Sequence, residues 1–458
     1  MGGLPILAQP KLARTQRESP PMMNRRTLLT ATAAVAATPA LPAFARRTAP
    51  SGFVRREGTQ FTLDGKPYRY VGTNLWYAAW IGHEGRLARE LDALAADGVT
   101  NLRIAASAEH SPLKNSVRPA FHDQADEYNE ALLTGLDHAM AEIGKRGMKA
   151  VLYLTNFWEW SGGMATYLLW TNGGRYIDAG DPAHPWPAFP EFVSEFYSSG
   201  EAVARYHAHI RKIVGRVNTV TGKPYAEDPA VMGWQLANEP RPGGTDATVD
   251  RTLPAFHAWI GETARLIKSL APHHLVSTGG EGLKGSMERL GLVLSSQADD
   301  AIDYHTAHVW PGNWGWLDRT DMPATHARAV ALSSEYVAQH VELAKQAGKP
   351  LVVEEFGYPR NGDVYDLDAS TSMRDDLYGA IHAAVLASVR EGGPLAGSNF
   401  WAWNGEGRAQ HPDFRFRSGD TAFVGDPPHE PQGWYGVFDQ DVSTRRIIRA
   451  QAEALAAL

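Results

Sequence analysis

Two carboxylates in this 458-residue chain stand where they could work on one substrate. One is Glu239, in Trp234-Gln235-Leu236-Ala237-Asn238-Glu239-Pro240; the other is Glu354 or Glu355, in Val352-Val353-Glu354-Glu355-Phe356-Gly357. Each closes a short apolar run of the kind that forms a buried strand. Carboxyl groups facing each other at about 5–5.5 Å can divide the work of retaining glycoside hydrolysis, one protonating the leaving oxygen while the other attacks the anomeric carbon. A lone glutamate at a strand end is as readily a solvated or ion-paired residue, so it is the joint placement that points to chemistry. Successive strand residues point to opposite faces, so only one of Glu354 and Glu355 is expected to face a pocket, and position alone does not choose between them.

Other residues fit the same site. Arg103 ends the apolar run Asn101-Leu102-Arg103-Ile104, where a buried guanidinium needs a partner and would hold a carboxylate ionised. His305 and His308, in Asp303-Tyr304-His305-Thr306-Ala307-His308-Val309-Trp310, are three apart and cannot share a strand face, which speaks against a two-histidine metal site. Indoles crowd several run ends: Trp158 and Trp160 after Asn156, Trp310, Trp314 and Trp316, and Trp401 and Trp403. Most of the 14 Trp and 16 Tyr are expected to be core, but flat rings at a loop-rich rim suit the faces of sugars.

These residues need a scaffold that gathers strand ends at one mouth. Strand-like runs occur at Tyr70–Gly72, Val99–Ile104, Lys149–Leu154, Val231–Leu236, His274–Ser277, Ile302–His308, Pro350–Val353 and Gly397–Trp401. Helix-period segments alternate with them at Gly85–Asp97, Ala125–Arg146, Glu191–Val220, Leu253–Leu270, Ser286–Ser296, His326–Ala347, Ser372–Glu391 and Thr444–Leu458. Eight strands in strict alternation with eight helices predict an α/β protein with a closed TIM (β/α)8 barrel over residues 52–458. Phe53–Tyr70 reads as a preceding hairpin with Asp64-Gly65 at its turn. The active site of such a barrel lies at the C-terminal strand ends, so the long segments after the third and eighth strands, 156–190 and 402–438, are expected to wall a cleft.

Composition narrows the function. No cysteine is present, which excludes disulfides, thiolate nucleophiles and cysteine-ligated metals. With 44 Lys+Arg against 51 Asp+Glu the net charge is −7, which leaves no footprint for nucleic acid. There is no G-x-S-x-G, H-E-x-x-H or Walker loop, and the G-x-G-x-x-G match at Gly280–Gly285 is too permissive to indicate a dinucleotide. At the N-terminus, Asn24-Arg25-Arg26-Thr27 precedes an uncharged stretch ending in Ala43-Phe44-Ala45, which reads as an export signal over residues 1–45, with the true start at Met22 or Met23. The paired arginines resemble a twin-arginine signal, so a secreted or periplasmic protein is expected. Cleavage after Ala45 would remove five basic residues and one acidic residue, leaving 39 against 50 and a net of −11. No other run is apolar enough to span a membrane.

The chain resembles glycoside hydrolase family 5, and most of all its β-mannanases. The resemblance runs from Gly72-Thr73-Asn74 through Asn101-Leu102-Arg103, Trp158 with Gly162-Gly163, Asn238-Glu239-Pro240, His308 with Pro311 and Glu355-Phe356-Gly357 to Phe400-Trp401. It implies Glu239 as acid/base and Glu355, rather than Glu354, as nucleophile. Asn238 matches a residue that binds the 2-hydroxyl, His308 and Trp310 match pocket contacts, Arg103 supports the nucleophile, Trp158 marks the mannanase loop and Trp401 is a stacking platform. Where the family often has Tyr, this chain has Trp310, so a hydroxyl able to touch the nucleophile is missing. The implied activity is a retaining endo-β-1,4-mannanase that needs no cofactor or metal and acts as a monomer, with Glu239 holding its proton in the free enzyme. An exo-acting β-mannosidase or mannobiohydrolase is the alternative, since the proline-stiffened segment Gly405–Trp434 could close one end of the cleft; a β-1,4-glucanase comes next. A non-catalytic sugar-binding barrel would not need both Glu239 and Glu355.

Overall fold

Two turns, rather than the single expected hairpin, fold the segment after residue 52. Val54–Glu57 pairs antiparallel with Gln60–Leu63, which then pairs with Lys66–Pro67 across Asp64-Gly65. Both turn residues there have positive φ, 51° and 76°, the conformation a tight hairpin turn requires. The computed structural model describes residues 50–458, and the export-signal reading of residues 1–45 lies outside them.

Eight parallel strands follow: β1 (Tyr70–Asn74), β2 (Asn101–Ala105), β3 (Lys149–Tyr153), β4 (Val231–Gln235), β5 (Leu275–Ser277), β6 (His305–Val309), β7 (Leu351–Phe356) and β8 (Leu395–Phe400). Their order is β5-β4-β3-β2-β1-β8-β7-β6. Between β5 and β6 no regular ladder forms, because β5 is only three residues long. The seam is closed instead by Asp303 N–H donating to Val276 O (2.7 Å), Val276 N–H to the Asp303 carboxylate (2.7 Å) and His308 N–H to Glu281 O (3.1 Å). The result is the expected TIM barrel. Every strand is buried on both faces, as parallel strands under a helical ring must be.

The ring comprises α1 (Gly85–Ala96), α2 (Glu130–Lys145), α3 (Gly200–Val214), α4 (Asp246–Leu270), α5 (Leu290–Ser296), α6 (Met322–Ala347), α7 (Ser372–Arg390) and α8 (Val442–Ala456). Caps, not apolar periodicity, fix several starts. Asn129 accepts from the N–H groups of Ala131 and Leu132, Thr245 from Thr248 and Asp321 from Ala324, so α2 starts later than expected and α4 and α6 earlier. The helix expected over Glu191–Val220 is broken, and its main part starts after the Ser199 cap.

The barrel floor is an apolar cluster: Tyr70, Val151, Met232, Leu275, Tyr304, Val352 and Ala396 from seven strands or their starts, covered by Val54 and Phe61 of the N-terminal sheet. Burying a ring such as Phe61 contributes roughly 1.5–3 kcal/mol. Towards the mouth, β7 departs from simple alternation. Val353 lies opposite Ala307 and Glu355 opposite His308, so Glu354 is an extra residue in a bulge.

Candidate active site

The C-terminal strand ends surround a cleft of about 420 Å³. The segment after β3 contributes Trp158, Trp160 and Trp186, and the one after β8 contributes Trp401, Pro427, His429 and Glu430, so both long connections wall it as expected. Asn238, Glu239 and Arg241 reach it from the end of β4, Trp310 from the end of β6 and Glu355 from β7.

At its base the two carboxylates meet across one imidazole. His308 Nδ1 lies 2.5 Å from Glu239 Oε1 and 3.2 Å from Glu355 Oε2. The other Glu239 oxygen accepts from Trp158 Nε1 at 2.5 Å. Glu239 sits at φ 51°, a left-handed conformation that costs a non-glycine residue roughly 1–2 kcal/mol, and its N–H donates to Gly279 O at 2.9 Å. The backbone is thus turned out of the β4 direction just where the carboxyl has to face β7.

Arg103 lies fully buried beneath the cleft rather than in its wall. Its Nη1 pairs with Glu355 Oε1, Nε donates to Gln235 Oε1 (2.7 Å) and Nη2 to Asn238 Oδ1 (2.8 Å). Asn238 in turn donates to Asn156 Oδ1 at 3.1 Å. One guanidinium fork therefore orients the second carboxylate and the amide beside the first.

Two expectations are corrected here. Only Glu355 of the two neighbours lines the cleft, as expected, but the opposite-face premise fails: the bulge keeps Glu354 inside the barrel beneath it, where Gln235 Nε2 lies 2.6 Å from each Glu354 oxygen and Arg103 Nε is 3.5 Å from Oε2. Strand alternation fails because the extra residue resets it. Nor does Glu239 hold its own proton in the empty cleft. Burial pushes its carboxyl up, but the hydrogen bond and charge of His308, the charge of Arg241 and the Trp158 indole outweigh burial and bring it down to about 2. For His308 burial opposes the charge, and the Glu355 carboxylate, the hydrogen bond to Glu239 and the nearby Glu354 carboxylate overcome it, raising the imidazole well above its ordinary range. Both shifts run in the direction that favours the shared proton on His308.

Glu239, His308 and Glu355 offer ligand atoms within 4.8 Å of one another, close enough for a metal ion. Arg103 already holds Glu355 there and would repel a second cation, so the chemistry of the set fits a shared proton better than a metal. His305 lies on the opposite face of β6, buried, as the three-residue spacing requires.

The aromatic residues form two groups. Trp158 carries the Arg241 guanidinium 5.0 Å over its ring and stacks on Phe189. Trp310 packs edge-on against Trp401 (5.8 Å between centroids) and against Tyr435 (5.2 Å). Gly357 explains the Glu-Phe-Gly exit: a Cβ there would come 2.7 Å from the Trp310 ring. Tyr435, the phenol beside Trp310, donates to Asn313 Oδ1 at 2.6 Å and does not replace a hydroxyl on Glu355. Trp401 Nε1 is buried without a partner at the cleft.

Sequence reasoning missed an ion pair and a loop tip. Arg241 makes a bidentate pair with Glu281 (Nε 3.1 Å, Nη2 2.7 Å), and burial pushes the Glu281 carboxyl up to about 7 despite Arg241. The discounted glycine motif at 280–285 is in fact the β5 exit that carries Glu281. His429 and Glu430 enter from the β8 segment, with Glu430 Oε2 and His429 Nδ1 lacking partners, and burial pushes the Glu430 carboxyl well above its ordinary range. Only the prolines hinted at these two. Trp186, 63 % exposed at the cleft edge, had no sequence signal beyond its type.

Residues 51–458 match the family described as GH family 5 beta-mannosidase-like. A relative from Arabidopsis thaliana is 31% identical over 376 residues, covering 78% of this chain and 85% of that one. Mannan endo-1,4-beta-mannosidase 1 of Oryza sativa subsp. japonica is 29% identical over 369 residues, covering 76% and 78%. Among solved structures, the glycoside hydrolase family 5 mannosidase from Rhizomucor miehei superposes with a TM-score of 0.80 at 33% identity, covering 89% of this chain and 98% of that one. The chain belongs to glycoside hydrolase family 5, within its beta-mannosidase-like group.

Proposed function

We propose that this glycoside hydrolase is a retaining endo-β-1,4-mannanase, with Glu239 as acid/base and Glu355 as nucleophile. The observation that carries the reading is the approach of the two carboxylates, whose nearest oxygens lie within 4.8 Å. Such an approach supports retention, for which the carboxyl groups lie about 5–5.5 Å apart, over inversion, which needs about 6.5–9.5 Å. Glu239 protonates the glycosidic oxygen as its bond to C1 breaks, and a Glu355 oxygen forms the new bond to C1. Glu239 then removes a proton from water, whose oxygen attacks C1 and releases Glu355. Arg103 pairs with Glu355 and orients it, Asn238 addresses the 2-hydroxyl, and Trp158, Trp310 and Trp401 offer apolar surface to the sugar rings. The mannan preference is supported by the names of the rice relative and the Rhizomucor miehei mannosidase.

A second reading, an exo-acting β-mannosidase, is favoured by His429 and Glu430, which bring unpartnered polar atoms to the cleft from the expected blocking segment. A time course on linear β-1,4-mannan separates the two. A fast fall in viscosity with mixed oligosaccharides supports endo action, while mannose or mannobiose release without that fall supports exo action. Proton NMR of the first product should show retained β configuration, and an inverted product overturns the mechanism. Glu355→Ala should lose at least about 10⁴-fold in kcat. The signal-like pattern of residues 1–45 supports export to the periplasm or medium, checked by the N-terminal sequence of the exported protein.

A further inference from the structure

The bulge in β7 leaves a third carboxylate under the reacting pair, and the two-glutamate mechanism does not use it. Glu354 is buried, 1 % exposed, held by Gln235 Nε2 at 2.6 Å and by Arg103 Nε at 3.5 Å. Its Oε2 is also the carboxylate atom facing His308 Nε2, at 3.9 Å. That nitrogen is buried with no hydrogen-bond partner, while Nδ1 on the other side of the ring reaches both Glu239 and Glu355. His308 is thus enclosed by three carboxylates, two on one nitrogen and one on the other.

We propose that Glu354 is a positioning residue for the acid proton: facing His308 Nε2, it keeps the imidazole cationic while Nδ1 bridges the reacting carboxylates, so that the Nδ1 proton can pass to Glu239 Oε1. This rests on the reading of Glu239 as acid/base. The step balances simply, since the Nδ1–H bond breaks, an Oε1–H bond forms, His308 becomes neutral and Glu239 becomes the acid that protonates the leaving oxygen. A sugar entering between Glu239 and Glu355 would separate His308 from Glu355 and so weaken the pull that holds the proton on the ring.

The charges around this centre leave Glu354 as the adjustable one. Arg103 from β2 pairs closely with Glu355 and Asn238 and more distantly, at 3.5 Å, with Glu354, and lies 4.8 Å over the Tyr153 ring of β3. Tyr70 and Tyr304 face Glu354 from below and stay neutral, since burial pushes both phenols far above their ordinary range. Glu281 is neutralised by Arg241. His429 and Glu430 lie across the cleft, the imidazole pulled down to about 4 by burial and the carboxyl held protonated.

The test is Glu354→Gln, which keeps volume and hydrogen bonding while removing the charge, with Glu354→Asp as the charge-preserving control. The alkaline limb of kcat/KM on mannohexaose should move down by about one pH unit or more in Glu354→Gln and return towards the wild type in Glu354→Asp. At pH 8 the loss should depend on the leaving group, about thirtyfold or more on mannohexaose against about threefold on a 2,4-dinitrophenyl β-manno-oligosaccharide, whose phenolate needs no proton. An equal loss on both substrates at every pH overturns the proposal. Imidazole ¹⁵N NMR of the wild type, with no substrate, reads His308 directly: two protonated ring nitrogens at pH 8 support the proposal and a neutral ring below pH 7 overturns it. Failure of the mannan reading would appear as absent wild-type hydrolysis and leave the NMR outcome intact.

Discussion

The two ends of the barrel fill the same space with opposite chemistry. At the floor, seven strands supply one apolar side chain each, and Val54 and Phe61 cover them. At the mouth, the interior holds Arg103, Gln235, His308, Glu354 and Glu355, all buried. Apolar packing is non-directional, so a floor residue can be exchanged at a cost set by volume alone. The mouth is a closed network in which each group satisfies several others, and removing one leaves its partners uncompensated in a low dielectric. Both regions contribute to stability, the floor by apolar burial and the mouth by mutual compensation, but only the mouth can do proton chemistry.

Substitution at the centre of the network should separate the regions most. Arg103→Met removes the guanidinium that faces both Glu354 and Glu355, leaving two buried carboxylates side by side. It is expected to cost about 3–5 kcal/mol by urea unfolding and at least about 100-fold in kcat; wild-type activity in this variant would mean that Glu355 needs no ionising partner. At the floor, Phe61→Ala vacates a ring packed edge-on against Tyr304 at 5.4 Å. A loss of about 3 kcal/mol is expected, with kcat and KM of the folded enzyme unchanged. A kinetic effect of Phe61→Ala would show that the two ends are coupled after all.

The difference between the ends also explains what was legible in the sequence. The eight strands and the barrel could be read because both faces of a parallel strand are buried, which writes continuous apolar runs into the chain. Glu239, Arg103 and the Glu354–Glu355 pair were readable as polar residues closing such runs, whereas the choice of Glu355 and the roles of Asn238 and His308 came from the family resemblance. That Glu354 stays inside the barrel beneath Glu355 was missed because a bulge is a departure from strand periodicity that one sequence does not announce. Arg241, Glu281 and Glu430 escaped because loops carry no periodicity, and their pairing is set by where three separate connections meet. Helix starts were misjudged where a side-chain cap, rather than the first apolar residue, fixes the first turn.

The smallest effect sharpens the comparison through pH. Glu109, just past the end of β2, is fully buried and accepts from the N–H of Gly163 at 2.7 Å, bracing the loop that carries Trp158. Burial pushes its carboxyl from 4.5 up to about 7, in spite of the opposing pull of His209 and the Gly163 hydrogen bond. Between these values the folded chain keeps a proton that the unfolded chain has released, so this contribution is complete below about 4.5 and is lost as pH rises through 7. Glu109→Gln, a permanently neutral replacement, should therefore match the wild type near pH 4.5 and exceed it above pH 7.5 by on the order of 2 kcal/mol. Urea midpoints at a series of pH values measure this directly. The apolar floor cluster contains no carboxyl, so the loss in Phe61→Ala should be the same at every pH. A wild-type-like slope in Glu109→Gln would move the origin of the pH dependence away from this loop brace to the other buried carboxyls of the mouth.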